Sequence, residues 1–177
     1  MDTIHEAAQE VPVAATCDLC VVGGGCTGVF AAVAAARLGA RVCIIENNGF
    51  FGGVATAGLV NIWHNLLDER FERQIIGGLT TETIERLQQR RAVLIRKPGG
   101  HPHYHFALRE LLAERCGPRT IFLLNTEELK IELDELIAEA KVRPFLHARF
   151  VAAIMAGDRV ATAVIEDKSG RRAIRAS

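Results

Sequence analysis

At 177 residues the chain suits a single domain with a sizeable core, and its 49% hydrophobic, 24% charged composition is that of a globular protein. Basic and acidic side chains balance at 21 each, so no net field draws in nucleic acid or an anionic membrane, and neither is an expected partner. The opening residues lack a secretory signal, no window approaches about 18 uninterrupted apolar residues, and five cysteines form no even framework, features that together point to the cytoplasm.

A polar leader is expected over residues 1–16. "CDLCVV" then reads as a short buried strand ended by glycine. It carries a CxxC, Cys17 and Cys20, but an extended chain turns residues three apart to opposite faces and dithiol centres favour helix starts, so none is expected here. No second CxxC completes a zinc site, and no metal is expected. "TGVFAAVAAARLG" is an alanine-rich helix ending at Gly39, and "ARVCIIE" is a second β-rich run. Strand, glycine turn, helix and strand make a βαβ unit with parallel strands.

Residues 47–65 are glycine-rich and apolar, a functional loop rather than a helix. A helix is expected over 79–90, with threonine caps, acidic residues in its first turn and Ile84 and Leu87 on one face, while "DERFER" before it reads as a solvated helix face. His101, His103 and His105 in "GGHPHYHF" have no acidic or thiol residue beside them and read as an exposed or substrate-facing loop rather than metal ligands. A short helix around 105–116 and a strand at "TIFLL" follow. Asn125 with Glu128 resembles a capping box, and Leu129, Leu133, Leu136, Ile137 and Ala140 repeat at helical spacing, leaving Glu132, Asp134, Glu135 and Glu139 for the wet face. From Val142 onward the pattern is an antiparallel meander with turns at "GD" and "KSG".

Gly23, Gly25 and Gly28 satisfy GxGxxG between a strand and a helix. The first glycine permits the tight turn, the second lets backbone amides approach a pyrophosphate, and the third lets helix and strand pack closely. The helix N-terminus then offers free N–H groups and a positive dipole end, with the amides of Cys26 and Thr27 facing the phosphates. Glu46 closes the second strand 18 positions after Gly28, with Asn47 beside it, placed to accept from a ribose 2′-OH. Cys26 sits where a helix N-terminus lowers a thiol pKa, yet a bound pyrophosphate occupies the same field and no histidine is near in sequence, so its expected role is its N–H and the space it fills.

These residues carry a resemblance. "CDLCVVGGGCTGVFAAVAAARLGARVCIIENNGFFGGVATAGLV" resembles the amino-terminal FAD-binding segment of the FAD-dependent oxidoreductase family, and "IIGGLTTETIERLQQR" and "NTEELKIELDELIAEAKVRPFLHARF" are similar to its next helix and its adenine-side helix and strand. The resemblance implies an α/β, Rossmann-like FAD/NAD(P)-binding fold, a parallel sheet with a β-meander, and FAD as cofactor. It implies that Gly52, Gly53 and Thr56 approach the pyrophosphate or flavin and that the backbone of Phe150 meets adenine. Trp63 and His64 follow that loop and could line the flavin pocket, but a tryptophan at that place is more often a core residue, and that is the expectation for Trp63. The resemblance also implies an ATG-type strand after "RRAIRAS", so residues 17–177 are expected to be a partial FAD-binding domain, incomplete at its C-terminus, with 54–124 as a helical and loop insertion.

The expected function is the FAD-binding portion of a flavin-dependent oxidoreductase acting on a small-molecule substrate. Two readings stay open at this point, an NAD-binding Rossmann enzyme and a non-catalytic fragment. A bulky residue at Gly53 is expected to separate the first two, abolishing binding only in a flavoprotein.

Overall fold

The computed structural model describes residues 2–5, 7–70, 72–96 and 121–177. The helix expected over 105–116 and His101, His103 and His105 lie outside the described residues.

The first strand, β1 (Val13–Cys17), begins inside the expected leader because it has a distant partner, running parallel to the strand that ends the chain. At Asp18 the chain bends. The Asp18 N–H donates to the Arg41 carbonyl at 2.8 Å, and the Asp18 carboxylate accepts from the Arg41 N–H at 2.8 Å and from its guanidinium. β2 (Leu19–Val22) therefore continues in a different sheet, so "CDLCVV" is the junction of two strands rather than one. The alternation rule consequently fails across the CxxC: Cys17 and Cys20 turn to the same apolar layer, not to opposite faces.

α1 (Cys26–Arg37) buries Val29, Ala32 and Val33, and its small residues let it lie close against the sheet. It leads into β3 (Val42–Ile45), which is apolar and buried at every position, as a strand covered on both faces must be. Val42 and Ile44 enter one core cluster and Cys43 and Ile45 the other. A single 3₁₀ turn at Gly53–Ala55 precedes β4 (Ile62–Trp63).

The charged stretch after β4 is a turn instead of a helix face: the Asp68 carboxylate accepts from the Glu72 N–H at 3.0 Å, and the Asp68 N–H donates to the Arg73 carbonyl at 2.8 Å. α2 (Leu79–Gln89) buries Ile84 and Leu87 as expected, but its N-cap is Gly78, and the Thr81 hydroxyl donates back to the Gly78 carbonyl instead of capping. β6 (Ile121–Leu124) pairs with both β4 and β5 (Val93–Arg96) in a small antiparallel sheet of order β4-β6-β5.

α3 (Thr126–Glu139) starts at the predicted N-cap, with the Asn125 side chain accepting from the Glu127 and Glu128 N–H groups at 3.0 and 3.3 Å, but the capping box is not closed, because the Asn125 N–H donates to the Ala92 carbonyl at 2.7 Å. Its leucine stripe is buried. One acidic residue departs from the expected wet face: Glu132 is 1% exposed, between the Arg86 and Arg90 guanidiniums of α2. Burial pushes its carboxyl up, opposed by the two arginines.

β7 (Arg143–Phe145) completes the parallel sheet β2-β3-β7, and β8 (Arg149–Ala156), β9 (Arg159–Asp167) and β10 (Gly170–Ala176) form the antiparallel meander, with β1 added at its edge. The parallel sheet thus lies between the helices and the meander. Side chains such as Ile44, Ile45, Leu129 and Leu133, essentially without exposure, each contribute roughly 1.5–3 kcal/mol to holding these layers together. The layering brings the carboxyl ends of β2 and β3, the N-terminus of α1 and the start of β8 to one edge.

Candidate functional site

Two glycine loops meet at that edge. Gly23 has φ +102°, a conformation favouring glycine, and its N–H donates to the Ile45 carbonyl at 2.8 Å, tying the end of β2 to β3. A Cβ on Gly28 would stand 1.9 Å from the Gly23 carbonyl oxygen, so α1 can approach the turn only with glycine there. Gly23 and Gly25, by contrast, face open space. Gly25 caps α1 without a side chain, no acid lies in the first turn, and a helix leaves its first N–H groups without internal acceptors, so the amides of Cys26, Thr27 and Gly28 are offered outward.

The second loop locks onto the first. The Gly52 N–H donates to the Gly24 carbonyl at 2.8 Å, Gly25 and Gly52 form a parallel bridge, and a Cβ on Gly53 would come within 3.1 Å of the Gly25 Cα. A bulky residue at Gly53 would therefore push on the first glycine loop itself, and cannot separate FAD from NAD binding as the sequence suggested. Thr56 is 1% exposed and its hydroxyl donates to the Phe51 carbonyl at 2.8 Å, shaping the loop from within. Phe51 lies beneath Gly24, where a Cβ would meet its ring at 2.5 Å.

Cys26 joins the same lock. Its thiol donates to the Gly52 carbonyl at 3.6 Å, and burial pushes its pKa up to about 11, outweighing any depression at the helix N-terminus. The sulfur is a neutral donor between two loops.

Glu46, 7% exposed, holds the other side of the edge. Its Oε2 accepts from the Gly24 N–H at 2.7 Å, and its Oε1 accepts from the Asn48 N–H at 2.7 Å and the Asn48 side-chain amide at 2.9 Å. A carboxylate has about four acceptor positions, so one remains for a hydroxyl. Asn48 escaped the sequence reading. Its signal was present, since an Asn two residues after an acid can close an Asx-like turn.

Two cavities flank the glycine lock. One, about 430 Å³, is lined by Gly23, Glu46, Asn47 and Phe150 with Arg149 at its rim. The other, about 460 Å³, is lined by Gly25, Cys26, Thr27, Gly52, Phe30 and Trp63 among others. Trp63 enters it and His64 does not line it, and Thr56 lies outside the lining of both. Arg149 and Phe30 were not singled out from sequence, because their approach depends on β8 and the face of α1 that the fold selects. Among the described residues no group of three or more His, Cys, Asp or Glu side chains is arranged to hold a metal ion, and no helix is long and apolar enough to cross a membrane.

Solved structures share this fold. A geranylgeranyl bacteriochlorophyll reductase-like protein from Thermoplasma acidophilum is 22% identical, covering 92% of this chain and 38% of its own, with TM-score 0.54. A 3-ketosteroid-delta4-(5alpha)-dehydrogenase from Rhodococcus jostii, in complex with 4-androstene-3,17-dione, is 17% identical over 93% of this chain and 44% of its own, with TM-score 0.56. A myxobacterial chondrochloren halogenase, described as a variant of FAD-dependent halogenases, is 16% identical over 92% and 36%, with TM-score 0.58. The chain thus spans less than half the length of each of these three structures. No curated protein sequence matches it. The family model for FAD dependent oxidoreductase matches residues 18–177, nearly the whole chain, so this protein belongs to that family: it is an FAD-binding portion of Rossmann-like fold, with FAD as its cofactor.

Proposed function

We propose that the amides of Cys26, Thr27 and Gly28 hold the pyrophosphate of FAD, with Gly23, Gly25, Gly52 and Gly53 giving the backbone room to approach. Glu46 takes the adenosine ribose, Asn47 and the Phe150 backbone border the adenine, and the cavity beside Trp63 takes the flavin end. Thr56 shapes the second glycine loop. The observation that carries this reading is the lock between the two glycine loops, which keeps side chains out of the space in front of α1 while leaving its first amides unspent. The chain's residues fit a dinucleotide at this edge.

FAD supplies the hydride- or electron-accepting centre when bound. This chain's share is to fix it: helix-end amides neutralise the phosphate charge, and Glu46 anchors one end so that the other faces the cavity at Trp63. The activity we assign is that of an oxidoreductase whose small-molecule substrate meets the flavin from that side. Purified protein loaded with FAD should be yellow after gel filtration, with a band near about 450 nm. A preparation that stays colourless after reconstitution would refute the reading for this chain.

A further inference from the structure

The cavity on the Glu46 side holds a cation beside its carboxylate: Arg149, the first residue of β8, lines it together with Glu46, Asn47 and Phe150. The fold fixes where β8 begins. The Ala148 N–H donates to the Glu46 carbonyl at 3.0 Å and the His147 N–H donates to the Asn48 carbonyl at 3.0 Å, so the chain entering β8 is latched to the loop that follows β3. His147 has φ +51°, a left-handed conformation uncommon for a residue with a side chain, and it turns the backbone into this latch. Strain of this kind survives where the surrounding structure holds it.

Arg149 is thereby held at the cavity with its charge unspent. Its cross-strand neighbour in β9 is Glu166, but Glu166 lies 3.6 Å from the Arg171 guanidinium, and the Glu46 carboxylate is committed to Gly24 and Asn48. Arg149 pairs with no carboxylate among the described residues, unlike Arg37, Arg41, Arg86 and Arg90.

The strand sets what this cation can meet. β8 is the outermost strand of the meander, so one row of its backbone groups has no strand beside it. A flat ring bound to that row continues the plane of the sheet, and consecutive side chains of a strand stand on opposite sides of that plane. Phe150 borders the groove toward Leu19 and Val22 of β2, which leaves Arg149 over the other face. Cys26 and Thr27, whose amides take the pyrophosphate, line the second cavity, so the part of the cofactor beside Arg149 is the base.

We propose that Arg149 is an adenine-binding residue, its guanidinium lying over the open face of the ring. The inference rests on the assignment of FAD to this edge. A guanidinium suits the place because it is planar, weakly hydrated and permanently charged, and stacks on aromatic faces where a lysine ammonium acts as a point charge.

Affinities of the full chain for FAD, AMP and adenosine, measured by calorimetry and by competition against FAD, test the role. Arg149→Ala should weaken all three alike, by about threefold to tenfold. Arg149→Lys should recover only part of that loss, and both variants should keep the wild-type urea midpoint, because the side chain is exposed. Equal affinities in wild type and Arg149→Ala would overturn the proposal while leaving FAD at this edge. A loss for AMP with adenosine unchanged would overturn it in favour of a phosphate contact. Wild-type protein that binds neither FAD nor AMP would overturn it together with the assignment of FAD.

Discussion

The glycine lock and the seam between α2 and α3 solve opposite problems with polar groups. Along the seam charges are spent on one another: Arg86 reaches Glu132, Glu135 and Glu139, and Arg90 reaches Glu128, Glu132 and Glu135, while Arg37 of α1 reaches Glu82 on the flank of α2. At the lock the side chains are spent and the backbone is not. Glu46 is committed to Gly24 and Asn48, Thr56 to Phe51, and Cys26 to Gly52, while the first amides of α1 stay open. The difference shows how this chain separates scaffold from site: pairing builds the one, and withheld backbone donors build the other.

Substitutions that cross this division should have the largest effects. Gly28→Val places side-chain atoms against the Gly23 carbonyl, and should abolish bound flavin, read as absorbance per chain after gel filtration, while costing about 3 kcal/mol by urea unfolding. Glu132→Ala strips the centre of the seam. Because Arg86 and Arg90 keep other carboxylates, the cost should be about 2 kcal/mol, below that of an isolated buried pair, with flavin content unchanged.

Acid should weaken the charged helix pairs. Hydrogen bonds from Arg37 hold Glu82, and from Arg86 hold Glu139, below the usual carboxylate range. Lowered folded-state values mean stability that is present above the unfolded pKa and is lost as pH falls through the folded one. Glu132 is shifted the other way, so its contribution is present below its unfolded pKa and fades as pH rises, which offsets part of the loss. Urea midpoints should hold steady from neutral pH to about 5 and decline below about 4, with a small slope because these pairs are largely exposed. The smallest effect is expected from Cys26→Ser: a hydroxyl can make the same donation to Gly52, so flavin content should be retained and stability should shift by less than about 1 kcal/mol.

Sequence and structure agree where the signal is local. The βαβ unit, the Asn125 cap and the leucine stripe of α3 each rest on neighbours within one or two turns, and each stands where the sequence put it. What the sequence hid depended on distant partners. β1 starts at Val13 because β10 lies beside it, and Glu132 turns inward because two arginines of another helix receive it. Cys17 and Cys20 share a layer because Arg41 bends the chain at Asp18. At the site, GxGxxG announced the tight turn between β2 and α1, but the thiol bond of Cys26 and the clamp of Asn48 on Glu46 needed the second loop in place to be seen.

The chain contains one tryptophan, and it lines the cavity assigned to the flavin end. Titrating the protein with FAD and separately with AMP while following Trp63 emission therefore tests the central claim most directly. FAD should quench the emission, AMP should leave it unchanged yet weaken the FAD response by competing for the Glu46 pocket, and Gly28→Val should abolish the response. FAD that binds without altering Trp63 emission, or AMP that quenches as strongly as FAD, would contradict the assignment of the two cavities.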